Sequence, residues 1–387
     1  MTASSNLLIT GANGIVGSEL VRSLLHAPDG AHLYLLIRGD TSEVAAKERW
    51  IRAWASTAKN GVKTADLDRV HVVPGDVTRA DFGLAPHALG SLTETITGIV
   101  HSAASTSFQQ SPEQADRINV VGTRHALAFA KRCRRLDRFG LVSTVYVAGQ
   151  RTGTILEDTL DLGCGHVNEY ERSKAVAEEE AGRAGLPLSI YRLGVVVGRR
   201  EDGRVARMSG IYPVFRILYQ GLLSMVPGDP AQIVDIIPVD DACDAIAYLF
   251  GQAFEPGARY HVCAGAERSL SLGELLPAFE EAVCQVEPRW RLRGYPRAAY
   301  VTSEAFSCFM ETIDRVAHLG LRGVVRQLRV FTRQLEYPKV FDRTRLERDL
   351  APSGLHLPHV REWLPTLAAH GVACGFSEPG WEAMLDG

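Results

Sequence analysis

The stretch that decides the fold is NLLITGANGIVG, residues 6–17, close to the start of a chain of 387 residues. A short apolar strand, Asn6–Thr10, leads directly into glycines spaced G-x-x-G-x-x-G, and helically spaced apolar side chains follow from Gly17 to Leu25. Glycines between a strand and a helix let backbone approach a pyrophosphate, which the helix N–H groups then bind. We therefore predict dinucleotide binding by Gly11, Asn13, Gly14, Ile15, Val16 and Gly17; the alternative is a glycine-rich helix start without a ligand.

Further short apolar runs continue this pattern along the first half of the chain. The predicted strands are Leu33–Arg38, Arg69–Val73, Gly98–His101, Phe139–Ser143 and Leu188–Arg192, and long helical stretches cover 115–132 and 170–185. Continuous apolar strands that alternate with helices are typical of a parallel sheet buried on both faces. The predicted fold class is therefore α/β, with a doubly wound parallel sheet of the Rossmann type.

Composition excludes several classes of protein. The chain is 46% hydrophobic and 22% charged, which is ordinary for a globular protein, and its net charge of −3 gives no general attraction to nucleic acid. Seven scattered cysteines without a C-x-x-C pair indicate reduced thiols, with neither a disulfide framework nor a metal site. No apolar run reaches the length of a membrane span, and the N-terminus lacks a secretory signal, so we expect a cytoplasmic protein.

The ends of the predicted strands suggest how a nucleotide is selected. Ile37-Arg38-Gly39 ends the second strand, where a guanidinium can hold a 2′-phosphate, so NADP(H) is favoured over NAD. Arg38 can instead lie in solvent, and nearby Asp40 leaves NAD open. Asp76 and Val77 follow the third strand, where a carboxylate can meet the adenine amino group. The small residues Ser102, Ala103 and Ala104 follow the fourth strand and leave room for the nucleotide.

Tyr170 and Lys174 are four residues apart in a helical stretch, which places them on one helix face. An ammonium beside a phenol lowers the phenol pKa, as a general acid or base requires; the alternative is a pair of surface residues. At the end of the fifth strand, Thr144 fits a substrate carbonyl better than Ser143. Asn119 either orients the lysine through water or packs its helix.

These residues together resemble an extended short-chain dehydrogenase/reductase over roughly residues 5–250. The motifs HSAASTSF, NVVGT and VDIIPVDDA are most similar to the thioester reductase and fatty acyl reductase branch. The resemblance implies pyrophosphate on the three glycines, Arg38 on the 2′-phosphate, and catalysis by Thr144, Tyr170 and Lys174, of which Tyr170 and Lys174 also contact the cofactor. Relatives often carry Pro-Gly where this chain has Leu193-Gly194, so only Gly194 is expected to keep the space for nicotinamide.

The predicted function is NADP(H)-dependent reduction of an acyl thioester, or of the derived aldehyde. Because the chain contains no carrier domain, the acyl group must come from CoA, a separate carrier protein or solution. No cysteine adjoins the catalytic positions, so direct hydride transfer suffices. The alternatives are a ketone or secondary-alcohol dehydrogenase on a hydrophobic substrate, a nucleotide-sugar epimerase or dehydratase, and a non-catalytic NADP-sensing protein.

The remaining chain predicts a smaller, mainly helical substrate domain. We expect an NADP-binding domain over 1–198, rejoined by a strand at Val234–Val239 and a helix at Asp240–Phe250 within 232–252, and a cap from 199–231 and 253–387. Predicted cap helices cover 273–284, 303–318 and 321–335. The cap aromatics either form a core or line an acyl tunnel; these are Trp290, Tyr295, Tyr300, Phe306, Phe309 and Phe331.

Residues 289–333 carry nine Lys/Arg and three Asp/Glu, a local charge of +6. Arg322, Arg326, Arg329 and Arg333 share one helix face there. This face is either solvated or meets an acidic carrier protein, CoA phosphates or an anionic membrane surface. Assembly into a homo-oligomer is also open.

Overall fold

A seven-stranded parallel sheet forms the centre of the protein in a computed structural model, which describes residues 5–39, 42–57, 67–295, 297–316 and 332–377. The strands in chain order are β1 (Asn6–Thr10), β2 (His32–Ile37), β3 (Val70–Pro74), β4 (Gly98–His101), β5 (Arg138–Thr144), β6 (Gly153–Ile155), β7 (Leu188–Leu193), β8 (Val195–Val197), β9 (Met225–Pro227), β10 (Ile233–Val234), β11 (Ile236–Pro238), β12 (Arg259–Val262), β13 (Leu270–Ser271), β14 (Ala299–Val301) and β15 (Lys339–Phe341). The central sheet has the order β12-β7-β5-β4-β1-β2-β3, which confirms the doubly wound parallel architecture.

Helices cover both faces of this sheet. In chain order, the α-helices that the structure describes are α1 (Ile15–His26), α2 (Glu43–Thr57), α3 (Pro86–Thr95), α4 (Pro112–Ala115), α5 (Val121–Arg132), α6 (Glu169–Gly182), α7 (Tyr212–Tyr219), α8 (Val239–Gly251), α9 (Leu272–Val286), α10 (Ser303–Val316), α11 (Thr344–Leu350) and α12 (Val360–Cys374). Of these, α7, α9, α10 and α12 pack together in the C-terminal part rather than on the sheet. Strand β1 shows why both faces are covered: Leu7 and Ile9 pack with α1 and α8, while Leu8 packs with α3 and α5 on the other face. The alternation follows from the two-residue period of a strand.

The strand predicted at Val234–Val239 is wrong in its extent and its partner. The chain forms two short strands there, β10 and β11, which pair with β13 and β8 outside the central sheet. The seventh strand of the sheet is instead β12, which pairs with β7 and lies in the range assigned to the cap. Its sequence, Arg-Tyr-His-Val, is short and half polar, so the apolar pattern gave little sign of it. The helix predicted at Asp240–Phe250 is confirmed as α8.

The C-terminal part has its own hydrophobic core, which favours packing over a tunnel for the aromatic residues. Trp290 and Phe306 are each 5% exposed in this core, and Tyr295 and Phe309 pack against it. Phe331, like most of the predicted basic helix at 321–335 with Arg322, Arg326 and Arg329, lies outside the described residues. Arg333 begins a short 3₁₀ turn, Arg333–Glu336.

The segment after this turn returns to the nucleotide-binding half. Strand β15 pairs in parallel with β6, and the carboxylate of Glu157 accepts hydrogen bonds from the backbone N–H groups of Arg345 and Leu346, at 2.6 and 3.2 Å. These contacts place residues 332–346 beside the loops that follow β5. This part of the chain therefore borders the edge of the sheet at which the central strands end.

That edge is where the predicted site residues meet. Strands β1 and β4 end level, since Thr10 pairs with His101, while β5 and β7 end together three residues further on, since His101 pairs with Leu141 and Thr144 with Leu193. In doubly wound sheets this edge holds the ligand. No helix in the described ranges is long and apolar enough to cross a membrane.

Candidate active site

The turn between β1 and α1 has the geometry that its glycine spacing predicts. Gly11 has a φ of +76°, and its carbonyl oxygen accepts a 2.9 Å hydrogen bond from the Gly14 N–H. A Cβ on Gly17 would lie 2.1 Å from that oxygen, so α1 can start here only without a side chain. No side chain of the described part of the chain caps α1 at Gly14, which leaves the first N–H groups available to an anion. Together the turn Gly11–Gly17 and the first N–H groups of α1 form what we call the glycine cradle, which fits a pyrophosphate.

The loop after β4 packs directly against this turn. The Ala103 N–H donates to Thr10 Oγ1 at 3.2 Å, and a Cβ on Gly11 would lie 2.7 Å from the Ala103 nitrogen. Ser102, Ala103 and Ala104 are all half-buried beside the glycine turn, as their predicted role requires. The turn is completed by Asn13, which is exposed, and by Ile15 and Val16, which are half-buried.

Arg38 directly follows β2, which pairs with β1, so its exposed side chain lies at the same edge as the glycine turn. Asp40 lies outside the described residues. At the end of β3, Asp76 Oδ1 accepts hydrogen bonds from the N–H and hydroxyl of Thr78, at 2.8 and 2.9 Å. Val77 lies against Gly122, where an added Cβ would approach its Cγ2 to 3.3 Å. The adenine contact of this pair stays a prediction.

Thr144, Tyr170 and Lys174 are brought together by β5 and α6. Thr144 is the last residue of β5, and Asn168 caps α6 by accepting a 3.0 Å hydrogen bond from the Glu171 N–H. The Thr144 side chain is close enough to the Tyr170 phenol to lower its pKa, and Lys174 Nζ donates to the Val142 carbonyl oxygen at 2.8 Å. The geometry therefore places a phenol, a hydroxyl and an ammonium at the edge that carries the glycine cradle.

The prediction that Lys174 lowers the pKa of the Tyr170 phenol is wrong for this arrangement. Burial raises the pKa of Tyr170 to about 12, opposed by the Thr144 side chain. Burial also lowers the pKa of Lys174 to about 8. The cost of desolvating the Tyr170 phenolate exceeds any stabilisation by the Lys174 ammonium, because that ammonium is hydrogen-bonded to the Val142 carbonyl. The phenol is consequently protonated at neutral pH, which suits a proton donor.

Asn119 joins two elements of the site. Its Oδ1 accepts from the Ser105 N–H at 2.8 Å, and its Nδ2 donates to the Ser105 carbonyl and the Ser173 hydroxyl, at 3.1 and 2.9 Å. It lies in a π-helical stretch, Asp116–Val120, between α4 and α5. These contacts fix a loop and helix α6, and the predicted link to Lys174 through water stays a prediction.

His101 connects the hydrogen bonds of Asn119 to the glycine turn. None of the sequence motifs indicated a role for this residue. Its Nδ1 lies 2.8 Å from Thr10 Oγ1, and its Nε2 lies 3.1 Å from the Thr123 hydroxyl, which donates to the Asn119 carbonyl at 2.6 Å. Because that hydroxyl proton is used, Nε2 is the ring donor. Burial, with Lys174 nearby, lowers the pKa of His101 to about 3, so the ring is neutral.

Several residues near Tyr170 were missed from the sequence. The ring of Phe108 packs on the Tyr170 ring with centroids 5.6 Å apart. Glu171 is fully buried; its carboxylate accepts from the Val167 N–H at 3.1 Å and from the Gln334 side chain. Gln334 is 163 positions away, so no local pattern in the sequence connects it with the catalytic helix.

Tyr146 and Lys339 also border this region. Burial raises the pKa of the Tyr146 phenol, with smaller contributions from Asp235, Glu171 and Tyr170. Lys339 Nζ donates to the Gly149 carbonyl at 2.7 Å, which ties β15 to the loop after Thr144. The C-terminal segment thus forms one side of the site.

Gly194 is closely packed by protein atoms, and its predicted contact with nicotinamide stays a prediction. A Cβ there would lie 2.9 Å from Asp235 Oδ1 and 3.0 Å from Cys263 Cβ, so no larger residue fits. A thiol therefore does lie near the site, although no cysteine adjoins the catalytic residues in sequence. Burial raises the pKa of Cys263 well above its usual value, so the group is a protonated thiol rather than a nucleophile. Across the ranges that the structure describes, no cluster of side chains has the makings of a metal site.

Comparisons with known proteins agree with this geometry. A family model described as Male sterility protein matches residues 9–246. A putative fatty acyl-CoA reductase of Drosophila melanogaster is 26% identical over 320 residues, covering 73% of this chain and 59% of the fly protein. The alcohol-forming fatty acyl-CoA reductase of Simmondsia chinensis is 26% identical over 339 residues, covering 70% of this chain and 68% of that protein. The chain thus spans less than two thirds of the fly relative.

Among solved structures, the terminal R domain from the myxalamid PKS-NRPS biosynthetic pathway superposes with a TM-score of 0.77 at 25% sequence identity. The alignment covers 98% of this chain and 93% of that domain. The similarity therefore extends beyond the nucleotide-binding half into the C-terminal part.

Proposed function

Because the chain belongs to the Male sterility protein family, within the extended short-chain dehydrogenases/reductases, we propose that it reduces an acyl thioester, or the derived aldehyde, with NADPH. The observation that carries this proposal is the convergence of Thr144, Tyr170 and Lys174 at the sheet edge that holds the glycine cradle. The named activities of the fly and plant relatives support the same substrate class.

The residues at this edge can carry out a carbonyl reduction. A bound reduced nicotinamide supplies the hydride that forms the new C–H bond at the carbonyl carbon. In this proposal the hydroxyls of Thr144 and Tyr170 donate hydrogen bonds to the carbonyl oxygen, where negative charge develops. Tyr170 then gives its proton to that oxygen, and the Lys174 ammonium stabilises the phenolate left behind.

A thioester and an aldehyde give different products from the same step. Reduction of a thioester gives a hemithioacetal, which releases the thiol and leaves an aldehyde. Reduction of an aldehyde or ketone gives an alcohol directly. Since Cys263 is a buried, protonated thiol, the proposed route needs no covalent acyl-enzyme.

NADPH is proposed as the reductant on the basis of the residue that follows β2. Arg38 is exposed and follows β2, the neighbour of β1 in the sheet, and a guanidinium at this position can form paired hydrogen bonds with a 2′-phosphate. The proposed acyl donors are CoA and a separate carrier protein, which both present a thioester.

The test is NADPH consumption by the purified chain with a panel of acyl-CoAs, carrier-bound acyl groups, aldehydes and ketones, with product analysis. We expect turnover of thioesters and the matching aldehydes, and loss of both in Tyr170→Phe. Turnover of ketones and secondary alcohols alone would replace this proposal by the dehydrogenase alternative. A tightly retained dinucleotide with no net consumption would favour an epimerase.

A further inference from the structure

His101 lies at the end of β4, between the glycine cradle and helix α6. It pairs in register with Thr10, the last residue of β1, and its Nδ1 is 2.8 Å from the Thr10 hydroxyl oxygen. That oxygen also accepts the 3.2 Å hydrogen bond from the Ala103 N–H. Ala103 packs on Gly11, where an added Cβ would lie 2.7 Å from the Ala103 nitrogen. The Nδ1 side of the ring therefore supports the cradle through one hydroxyl group.

The Nε2 side of the same ring is connected to α6. Nε2 lies 3.1 Å from the hydroxyl of Thr123 in α5, which donates to the Asn119 carbonyl at 2.6 Å. The Asn119 Nδ2 donates to the Ser173 hydroxyl at 2.9 Å, and that hydroxyl donates to the Tyr170 carbonyl at 3.0 Å. A continuous series of hydrogen bonds thus leads from His101 to the backbone of the residue that we propose as proton donor.

The direction of the two hydrogen bonds at the ring follows from this geometry. Thr123 has one hydroxyl hydrogen, which is donated to Asn119, so Nε2 must be the donor to Thr123. In a neutral imidazole Nδ1 is then the acceptor, and the Thr10 hydroxyl must donate to it. The ring is therefore a donor on the side of α6 and an acceptor on the side of the cradle.

Water cannot replace a partner that is lost from this series. Each of its side chains from the cradle to α6 is at most 1% exposed; these are Thr10, His101, Thr123, Asn119 and Ser173. A hydrogen bond in such surroundings is strengthened by the low local dielectric, and an unpaired group there is costly. The series consequently restrains the cradle and α6 relative to each other.

That restraint matters because the two elements serve one reaction in the proposed function. The cradle is where the dinucleotide binds, and the phenol that gives the proton belongs to α6. Hydride and proton go to neighbouring atoms of one carbonyl group, and displacement of a reacting group by about 1 Å can reduce the rate roughly a hundredfold. A side chain that is hydrogen-bonded towards both elements can therefore control the rate without contacting the substrate.

We propose that His101 is a positioning residue that aligns the glycine cradle with Tyr170, through its separate hydrogen bonds to Thr10 and Thr123. The inference rests on the proposed function, because it assumes that Tyr170 acts on a carbonyl beside a dinucleotide held by the cradle. It assigns His101 an effect on both dinucleotide binding and turnover, each through a different ring nitrogen.

Two substitutions separate the two sides of the ring. In His101→Asn, the side-chain oxygen can take the position of Nδ1 and accept from Thr10, while Thr123 loses its donor. In His101→Gln, the amide nitrogen can take the position of Nε2 and donate to Thr123, while Thr10 loses its acceptor. Thr123→Val breaks the connection to α6 without changing the ring.

The matched control for Thr123→Val is Thr97→Val. Thr97 is also a buried threonine, 8% exposed, and its hydroxyl oxygen accepts a 3.0 Å hydrogen bond from the Asn6 N–H. This contact lies at the start of β1 and β4, whereas Thr10 and His101 lie at their carboxyl ends. The same change of side chain is thus made at the opposite edge of the sheet.

Three quantities are measured for each protein: Kd for NADPH by fluorescence titration, kcat with the best substrate of the panel, and Tm. We expect His101→Asn to keep Kd within about twofold and to lower kcat roughly ten- to hundredfold, because α6 is released. His101→Gln should raise Kd roughly three- to tenfold, the loss of about one neutral hydrogen bond, with kcat at saturation within about threefold. Thr123→Val should behave like His101→Asn, and Thr97→Val should lower Tm alone.

Wild-type Kd and kcat in both His101 variants, whatever their Tm, would overturn the inference and leave the proposed function intact. Equal changes in His101→Asn and His101→Gln, or equal losses of kcat in Thr123→Val and Thr97→Val, would overturn it as well. If the His101 variants do not fold, the two threonine variants decide the connection to α6. A wild type that turns over no carbonyl substrate removes the proposed function; the titrations then decide the cradle side alone, since His101→Gln must weaken NADPH binding and His101→Asn must not.

Discussion

The ammonium of Lys174 donates its 2.8 Å hydrogen bond to the carbonyl oxygen of Val142, two residues before the end of the strand that carries Thr144. The side chain is 3% exposed, and burial lowers its pKa to about 8 against the opposing effect of Glu178, one helical turn away. Helix α6 thus holds a charge where water cannot reach it. A group that we propose takes part in the chemistry here reduces the stability of the fold.

Replacing this lysine should therefore separate stability from activity. At pH 7, Lys174→Met should stabilise the protein by about 1–3 kcal/mol, the desolvation of the charge minus one hydrogen bond, while turnover falls by roughly a hundredfold or more. Because the folded pKa lies below the unfolded one, the wild type gains stability as the pH rises from about 8 to 10.5. The advantage of the variant should shrink over that window.

Urea unfolding at pH 7 and pH 10 measures this difference. Lys131→Met, at an exposed position of α5, is the control and should change neither stability nor activity. A Lys174→Met protein less stable than wild type at pH 7 would show that the lysine is a net stabilising contact.

Removal of the Tyr170 hydroxyl should affect the chemical step alone. Tyr170→Phe keeps the ring that packs on Phe108 but loses the proton donor, so kcat should fall by roughly 10²–10⁴. NADPH affinity, measured by fluorescence titration, should be unchanged. Tyr34→Phe, in β2, is the matched control and should retain full turnover. Unaltered turnover in Tyr170→Phe would refute the assignment of the proton donor.

Two glycine-to-alanine changes should have contrasting effects, one on dinucleotide binding and the other on stability. A Cβ on Gly17 would lie 2.1 Å from the Gly11 oxygen, so Gly17→Ala should disrupt the cradle and abolish dinucleotide binding. Gly90, inside α3, has no neighbour within 4 Å of an added Cβ. Gly90→Ala should therefore stabilise the protein by roughly 0.5–1 kcal/mol through helix propensity. Dinucleotide titration and thermal unfolding of both variants check this contrast; normal binding by Gly17→Ala contradicts the cradle.

The choice between NADPH and NADH should depend on Arg38. Arg38→Ala should reduce the ratio of kcat/KM for NADPH over NADH by roughly tenfold or more, since charge-assisted hydrogen bonds contribute about 1.5–3 kcal/mol. Arg38→Lys should lie between the two because it keeps the charge and loses the planar fork. An unchanged ratio in both variants would place the selection elsewhere.

Replacing only one partner of the ion pair between Arg192 and Glu178 should strongly reduce the free energy of unfolding. Both side chains are fully buried, with Arg192 Nη2 2.7 Å from Glu178 Oε2, and Arg192 Nη1 also donates to the Glu157 carbonyl at 2.9 Å. Glu178→Ala should destabilise the protein by about 3–5 kcal/mol because it strands a buried charge. In urea unfolding, the double replacement Glu178→Leu with Arg192→Met should recover part of that loss. A double variant as unstable as the single one would contradict this explanation.

Local features of the sequence were enough to predict most of the nucleotide-binding half. The apolar strands, the glycine spacing and the four-residue separation of Tyr170 and Lys174 all act within one turn or one strand, so each can be read without knowing what packs against it. The same approach failed for β12, whose four residues are half polar and belong to the sheet only because β7 offers an open edge. It also failed for the pKa of Tyr170, which depends on burial.

What the sequence determined by itself was the α/β sheet, the place of the glycine cradle and the helical spacing that puts Tyr170 and Lys174 on one face, because periodicity and backbone freedom depend on residues that are neighbours in the chain. Tertiary structure alone decided that Gln334 reaches Glu171, that His101 links Thr10 to Thr123, and that Phe108 covers Tyr170. Contacts between residues so far apart depend on how the whole chain packs, and desolvation, which sets the protonation of the site, exists only once that packing is complete.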